Sequence, residues 1–322
     1  MSRPTAGIRW WVGLLGIATL AAGVPASGQG ERNAQNGLEV LPVQGQVTML
    51  ATPQANMAVQ VGPEGPLLVD TLAAAMSSRV IDAVRGLSPR PIRHVVLTSG
   101  GELQSGGATA LSKAGRYVRL IDSLDPRGLD VRASIIAHVN VLNRLVKAGA
   151  AADAWPTDTY FTREWALFSN GEAVQFFHVP NARTDGDTIV FFRRSDVICA
   201  GGILDTTAYP RFDPAAGGSL QGVIDGLNLI LDIAIAGENQ DGGTVVIPGR
   251  GRLSDETDVA NYRDMVTIIR DRIRDMSDKG MSLDRVKQAR PAADYDGLYG
   301  AGDWTSDMFV EAIYRDLSRV RP

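Results

Sequence analysis

The stretch that decides the fold is Val95–Gly107, "VVLTSGGELQSGG". An apolar run ends at Thr98, a glycine-rich and nearly chargeless loop follows, and a small-residue helix is expected from Gly107. A loop leaving the carboxyl end of a strand is exposed on a rigid frame, which is where α/β proteins place their chemistry. Here that loop offers Ser99, Glu102, Gln104 and Ser105 as its polar side chains, and no His or Cys.

Outward from this loop, short β-rich runs and helices alternate. "LEVLPV", "QVTML", "MAVQVG" and "PLLVD", between residues 38 and 70, are punctuated by Gly, Pro and Asn as in a meander of strands. Leu72, Met76, Val80, Ala83, Val84 and Leu87 recur at near-helical spacing, and "IRHVVLT" then predicts the strand that ends in the opening loop. The second half repeats the plan. "AVQFFHV", "TIVFFRR" and "VICAGG" predict strands, Gly218–Ala234 a helix, "TVVIPG" a strand, and Asp255–Met276 a helix with Ser254 as its N-cap. Between the halves, "VRASIIAHVNVLNRLVKAG" (131–149) predicts an amphipathic helix, followed by the connector "AWPTDTYFTREW". Phe309, Ile313 and Leu317 mark the buried stripe of a C-terminal helix. Two meander-plus-helix halves imply two sheets packed face to face with helices outside.

Composition narrows the function classes. The chain has 322 residues, 44% hydrophobic and 21% charged, with a formal net charge of -4, so it is globular and carries no basic footprint for nucleic acid. Arg3 and Arg9 precede the apolar run Trp10–Gly23, and "VPASG" supplies a small-residue cleavage site after Ala26. Residues 1–26 are therefore expected to be a signal peptide and 27–37 a flexible polar leader, with a retained anchor as the alternative. The mature chain would carry 30 basic against 36 acidic residues, a net of -6, and would be periplasmic or secreted with no membrane span. Cys199 is the sole cysteine and lies in an apolar run, the setting of a buried, inert thiol.

With these loops in view, a resemblance can be stated. "VVLTSGGELQSGG", "VPNARTDGDTIVFF", "VICAGGIL", "GGS" and "VVIPGRG" occur in the order and spacing of the loops of the metallo-β-lactamase superfamily, and "GPLLVDT", "IIAHVNVLNRL" and "DYDGLYG" support the likeness. The resemblance covers nearly all of the chain after residue 37. It implies an α/β fold, a four-layer αββα sandwich of two mixed β-sheets flanked by helices. Residues 38–322 would form one domain with a helical insertion around 130–166 and a C-terminal helix. Asp70, Thr98, Gly106, Gly107, Thr184, Asp185, Gly186, Asp187, Gly217, Gly218 and Pro248 match positions that brace the family's loops.

The metal ligands do not match. Where the family pattern reads Thr-HxHxDH, this chain has Ser99, Gly101, Leu103 and Gln104; "AHTDGD" is "ARTDGD", with Arg183; "AGD" is "AGG", with Gly202; and "PGHG" is "PGRG", with Arg250. Zinc sites take three or four His, Asp, Glu or Cys donors. Gly and Leu side chains donate nothing, and a guanidinium cannot be usefully deprotonated and repels a dication. No metal and no cofactor is therefore expected, with zinc only if the alternative below holds. The histidines His94, His138 and His178 lie on different predicted elements, His138 within the middle helix, and each is expected to be structural.

A non-catalytic binding or scaffolding role, that of a pseudoenzyme, is the expectation. Glu102 or Asp205 could simply pair the two arginines. A sharper reading makes Arg183 and Arg250, with Ser99, Glu102, Gln104 and Asp205 nearby, the site of a carboxylate- or phosphate-bearing small molecule. The alternative is a residual hydrolase with a non-standard or metal-free site, but Ser99 has no base beside it in the loop and "TSGGE" is not a nucleophile elbow. Tyr209, Arg211, Phe212 and Asp213 could line the cleft rim, and Trp155, Tyr160 and Trp165 could cover the core or roof the cleft.

Overall fold

The computed structural model describes residues 37–117 and 131–319, so the expected signal peptide (1–26) and nearly all of the expected leader (27–37) lie outside the described residues. Strands β1 (Glu39–Gln44), β2 (Val47–Ala51), β3 (Asn56–Gln60) and β4 (Leu67–Val69) form an antiparallel meander. β5 (His94–Val96), β6 (Ser134–His138) and β7 (Asp158–Tyr160) then add in parallel, giving a seven-stranded sheet in sequential order. Helices α1 (Ser77–Leu87), α2 (Ala108–Ala114) and α3 (Val139–Lys147) cover its outer face. The period of two in each strand sorts the side chains between layers. Val47, Ala58, Leu67, Val69, Val96 and Ile136 face the second sheet, whereas Leu50, Met57, Val59, Leu68, Val95 and Ile135 face the helices.

The second sheet has the order β12-β11-β10-β9-β8, from β8 (Glu164–Ser169), β9 (Glu172–Val179), β10 (Asp187–Phe192), β11 (Val197–Cys199) and β12 (Val245–Ile247). Val174, Phe176, Val190 and Phe192 pack against the first sheet; Phe177, Ile189 and Ile198 pack against α4 (Leu220–Ile233), α5 (Glu256–Asp278), α6 (Leu283–Gln288) and α7 (Ser306–Arg319). The result is the four-layer αββα sandwich expected from the sequence. Among the described residues, no helix is long and apolar enough to cross a membrane.

Three expectations need correction. The segment 131–149 is not one helix: Ser134–His138 is a strand buried on both faces, and α3 begins only at Val139, with His138 as its N-cap. A buried parallel strand shows no polar alternation, so "SIIAH" runs into the helical pattern without a break. Likewise 130–166 is no helical insertion, since β6, β7 and the start of β8 lie within it. At α5 the N-cap is Asp255, in a reciprocal capping box with Asp258; Ser254 is taken by a bridge to Val246.

The two sheets are also joined by a polar network at the Glu172 end of β9. The buried Glu172 carboxylate accepts from Gln60 Nε2 of the first sheet at 2.7 Å and from Ser195 Oγ at 2.8 Å. Its other oxygen accepts from the backbone N–H groups of Arg194 at 2.8 Å and Ser195 at 2.9 Å. All four bonds converge on one carboxyl group, two on each oxygen.

Candidate functional site

At the opposite end of β9, loops from both sheets converge, and buried carboxylates brace them. Asp70, held at φ 65° just after β4, accepts from the Thr98 N–H and from Thr98 Oγ1, both at 2.8 Å, and so fixes the start of the loop after β5. Asp187 accepts from the N–H and Oγ1 of Thr184, the latter at 3.0 Å, and fixes the turn that carries Arg183. Arg144 of α3 reaches the same turn, donating to Asp185 and to the Ala216 carbonyl. Asn56 donates to the carbonyls of Pro248 at 3.0 Å and Gly251 at 2.9 Å, on either side of Arg250.

These loops enclose a cavity of about 380 Å³. Of the residues singled out from the sequence, Leu103, Gln104, Arg183, Gly202, Asp205 and Arg250 line it. Ser99 is buried behind Gln104, with Oγ 3.4 Å from Gln104 Oε1, and Gly101 is not part of the wall. Glu102 turns away, accepting from the Ala74 N–H at 3.1 Å. Gln54, Leu204, Arg211, Gly249 and Asp303 complete the lining. Of these, Asp303 lies 53 positions from the nearest other wall residue, Arg250, and 92 from the Arg211 it pairs with, so no local pattern places it in the wall.

The half-buried Arg183 side chain is seated on Gly202. A Cβ built there would overlap the guanidinium and come within 2.8 Å of Arg183 Cδ, so only glycine leaves the groove it occupies. Among the described residues the Arg183 guanidinium makes no hydrogen bond or ion pair. Arg250 donates Nε–H to the Pro53 carbonyl at 3.0 Å. Arg211 donates to Asp303 at 2.7 Å and lies over the Trp304 ring, 5.3 Å from its centroid. The expected pairing of Arg183 and Arg250 by Glu102 or Asp205 does not occur, because Asp205 is engaged by the N–H of Thr207 at 2.8 Å and its Oγ1 at 2.7 Å. An Asx-type turn of this kind satisfies an aspartate locally.

Burial pushes Asp70 up to about 7, against the lowering effect of the Thr98 bonds and Arg183, with Asp187 adding to the rise. Asp187 is pushed up to about 6, again by burial, with Arg183 opposing. Each carboxyl ionises more readily in the unfolded chain, so the native state retains protons that the unfolded state releases between about pH 4 and about pH 7. Their contribution to stability is present below that window and declines as pH rises through it. The buried histidines act in the opposite sense, so the Asp70 part is the difference between wild type and Asp70→Asn. In urea unfolding from pH 4.5 to 8, that variant is expected to flatten the decline by about 1 kcal/mol or more; parallel profiles would contradict it.

Two of the histidines meet in a way the sequence did not reveal. The His138 and His178 rings stack with centroids 3.6 Å apart and an interplanar angle of 7°. Burial holds both below the usual imidazole range, His138 at about 4. His138 Nδ1 accepts from Asn140, His178 Nε2 bonds the Asp185 carbonyl at 2.8 Å, and His94 Nδ1 lies 2.6 Å from Ser134 Oγ. None lines the cavity. Tyr209 and Phe212 are buried anchors while Arg211 reaches the cavity, and Trp155, Tyr160 and Trp165 cover the core rather than the cavity. Cys199 is buried, and burial raises its thiol far above the ordinary range.

A larger cleft of about 600 Å³ opens beside β1 and β2; Leu41, Met49, Ala51, Pro53 and Leu253 make much of its wall, Glu39, Thr52 and Asn56 are its other polar side chains, and its Arg252 is held by Asp258. Charge and hydrogen-bonding capacity are concentrated in the smaller one. Its donor set does not suit a dication: two guanidinium groups and a leucine stand where coordinating atoms would be needed. Among the described residues, no group of three or more His, Cys, Asp or Glu side chains is arranged to hold a metal ion.

No family model matches the chain, and no curated protein matches it in sequence. Solved structures do match. A metallo-β-lactamase from Pontibacter korlensis superposes with a TM-score of 0.55 over 71% of this chain and 99% of that one, at 13% identity. The fold is that of the metallo-β-lactamases. The DIM-1 metallo-β-lactamase gives a TM-score of 0.53 at 15% identity, over 71% of this chain and 97% of that one. A stereoselective inverting sec-alkylsulfatase from Pseudomonas sp. gives 0.61 at 14% identity, over 90% of this chain and 53% of that one. This chain thus spans about half of the alkylsulfatase, and at such identities the likeness is one of metallo-β-lactamase fold, which does not fix an activity.

Proposed function

We propose that this metallo-β-lactamase-fold protein is an exported, non-catalytic binding protein whose metal centre has been replaced by a site for a small anionic molecule, held by Arg183 and Arg250. The observation that carries the reading is the half-buried Arg183 side chain, seated over Gly202, whose guanidinium makes no hydrogen bond or ion pair among the described residues, Asp187 and Asp70 acting on it only at longer range. A charge withdrawn from water is costly unless hydrogen-bonded and paired, and a carboxylate or phosphate satisfies the guanidinium fork from the cavity side. Gln104 and Gln54 add amide groups to the wall. Export rests on residues 1–26, with Arg3 and Arg9 before the apolar run.

Two measurements test the reading. In calorimetric titration with butyrate, wild type is expected to bind, and Arg183→Ala and Arg250→Ala each to weaken binding about tenfold or more. Absence of binding by wild type, or binding that both variants retain, would remove the anion site. Mass-spectrometric metal analysis of the purified protein is expected to find zinc, manganese and iron well below stoichiometric. A near-stoichiometric metal would favour the hydrolase alternative instead.

A further inference from the structure

We propose, on the anion-binding reading above, that the cavity accepts a singly charged carboxylate with a short aliphatic body, and that Asp303 is the residue that turns doubly charged anions away. Three arginines and two aspartates line the cavity, so its walls carry a formal charge of +1. One negative charge on a ligand neutralises it; a second would meet carboxylates already in place. Arg183 and Arg250 are the cations left for the ligand, because the third is closed off: Arg211 is bound by Asp303 at 2.7 Å and steadied from beneath by Trp304.

Asp303 is well placed to act on a ligand as well as on Arg211. It belongs to the cavity wall, and the Arg211 guanidinium, with a further contribution from Arg250, holds its carboxyl below the usual range, so it stays ionised at neutral pH. Its side chain is 83% exposed, so the ion pair itself contributes little to stability. The consequence of its charge falls mainly on what enters the cavity, where like charges brought together suppress the wrong partner. Asp205, tied down by Thr207, supplies the second fixed negative charge. Leu103 and Leu204 give the wall its apolar part, suited to a few methylene groups rather than to a second ionised head.

Butyrate and succinate have the same four-carbon chain and the same carboxylate, and differ by one charge, so they isolate the effect. At pH 7.5 and fixed ionic strength, wild type is expected to bind butyrate about tenfold or more tightly than succinate. Either substitution, Asp303→Asn or Asp303→Ser, also frees Arg211, so the readout is the ratio of the two affinities: succinate relative to butyrate is expected to gain about tenfold in both variants. Circular dichroism of both variants should match wild type, the position being exposed. Equal binding of the two ligands by wild type, or an unchanged ratio in both variants, would overturn the charge filter while leaving the anion site standing. If neither ligand binds wild type or the variants, the anion site itself fails and the filter with it.

Discussion

Gly202→Asp is expected to weaken butyrate binding by at least about thirtyfold, roughly 2 kcal/mol. Two effects act together. Any side chain at residue 202 overlaps the groove in which the Arg183 guanidinium lies, so Arg183 must leave. The new carboxylate also cancels the single net positive charge of the cavity wall. Gly202→Ala separates the two, keeping the steric effect alone, and is expected to lose about tenfold, as Arg183→Ala does. The displaced group is the far end of a flexible side chain that lines the cavity and makes no hydrogen bond among the described residues, so urea unfolding should place both variants within about 1 kcal/mol of wild type. Full binding by Gly202→Ala would show that Arg183 does not need its glycine seat.

Glu172→Ala is expected to destabilise the fold by about 3 to 5 kcal/mol, measured by urea unfolding at pH 7. The substitution takes the acceptor from the buried Ser195 N–H and Oγ and from the part-buried Arg194 N–H, and leaves Gln60 Nε2 only its 3.4 Å bond to the Ser169 carbonyl. Each unsatisfied buried donor costs about 1 to 3 kcal/mol, partly relieved by water or by rotation of the Ser195 hydroxyl. Glu172→Gln keeps one acceptor oxygen and should lose less, about 1 to 3 kcal/mol. Because Glu172 lies at the far end of β9 from the arginines, butyrate affinity should be unchanged in both. A loss below about 1 kcal/mol in the alanine variant would mean that the network adds nothing to the join between the sheets.

The strands of both sheets were legible where flanking turn residues mark their limits, as in "MAVQVG" and "AVQFFHV". β6 was not, since Ile135 and Ile136 are apolar on both faces and continue into the amphipathic α3. β7 and β8 were hidden in a connector whose aromatic residues gave no clear period. The cavity lining was legible as far as local motifs reach: Leu103, Gln104, Arg183, Gly202, Asp205 and Arg250 are brought together because each lies in a loop or single helical turn that follows a strand. Glu102 was misassigned because a residue beginning a helical turn can point either way, and here it caps the Ala74 N–H. Asp303 and the stacked His138 and His178 depend on tertiary packing across long separations, which no local pattern encodes.

The chain completes one sheet, β1 to β7, before it begins the other at Glu164. Gln54, Leu103 and Gln104 come from the earlier half, whereas every arginine of the cavity comes from the later one. A half-assembled molecule therefore has no pocket to offer, and whatever fills the pocket acts as a clamp across the seam. A ligand present at ten times its dissociation constant would add about 1.4 kcal/mol to the docked state. Thermal melting of the whole protein would register occupancy even where no reaction follows.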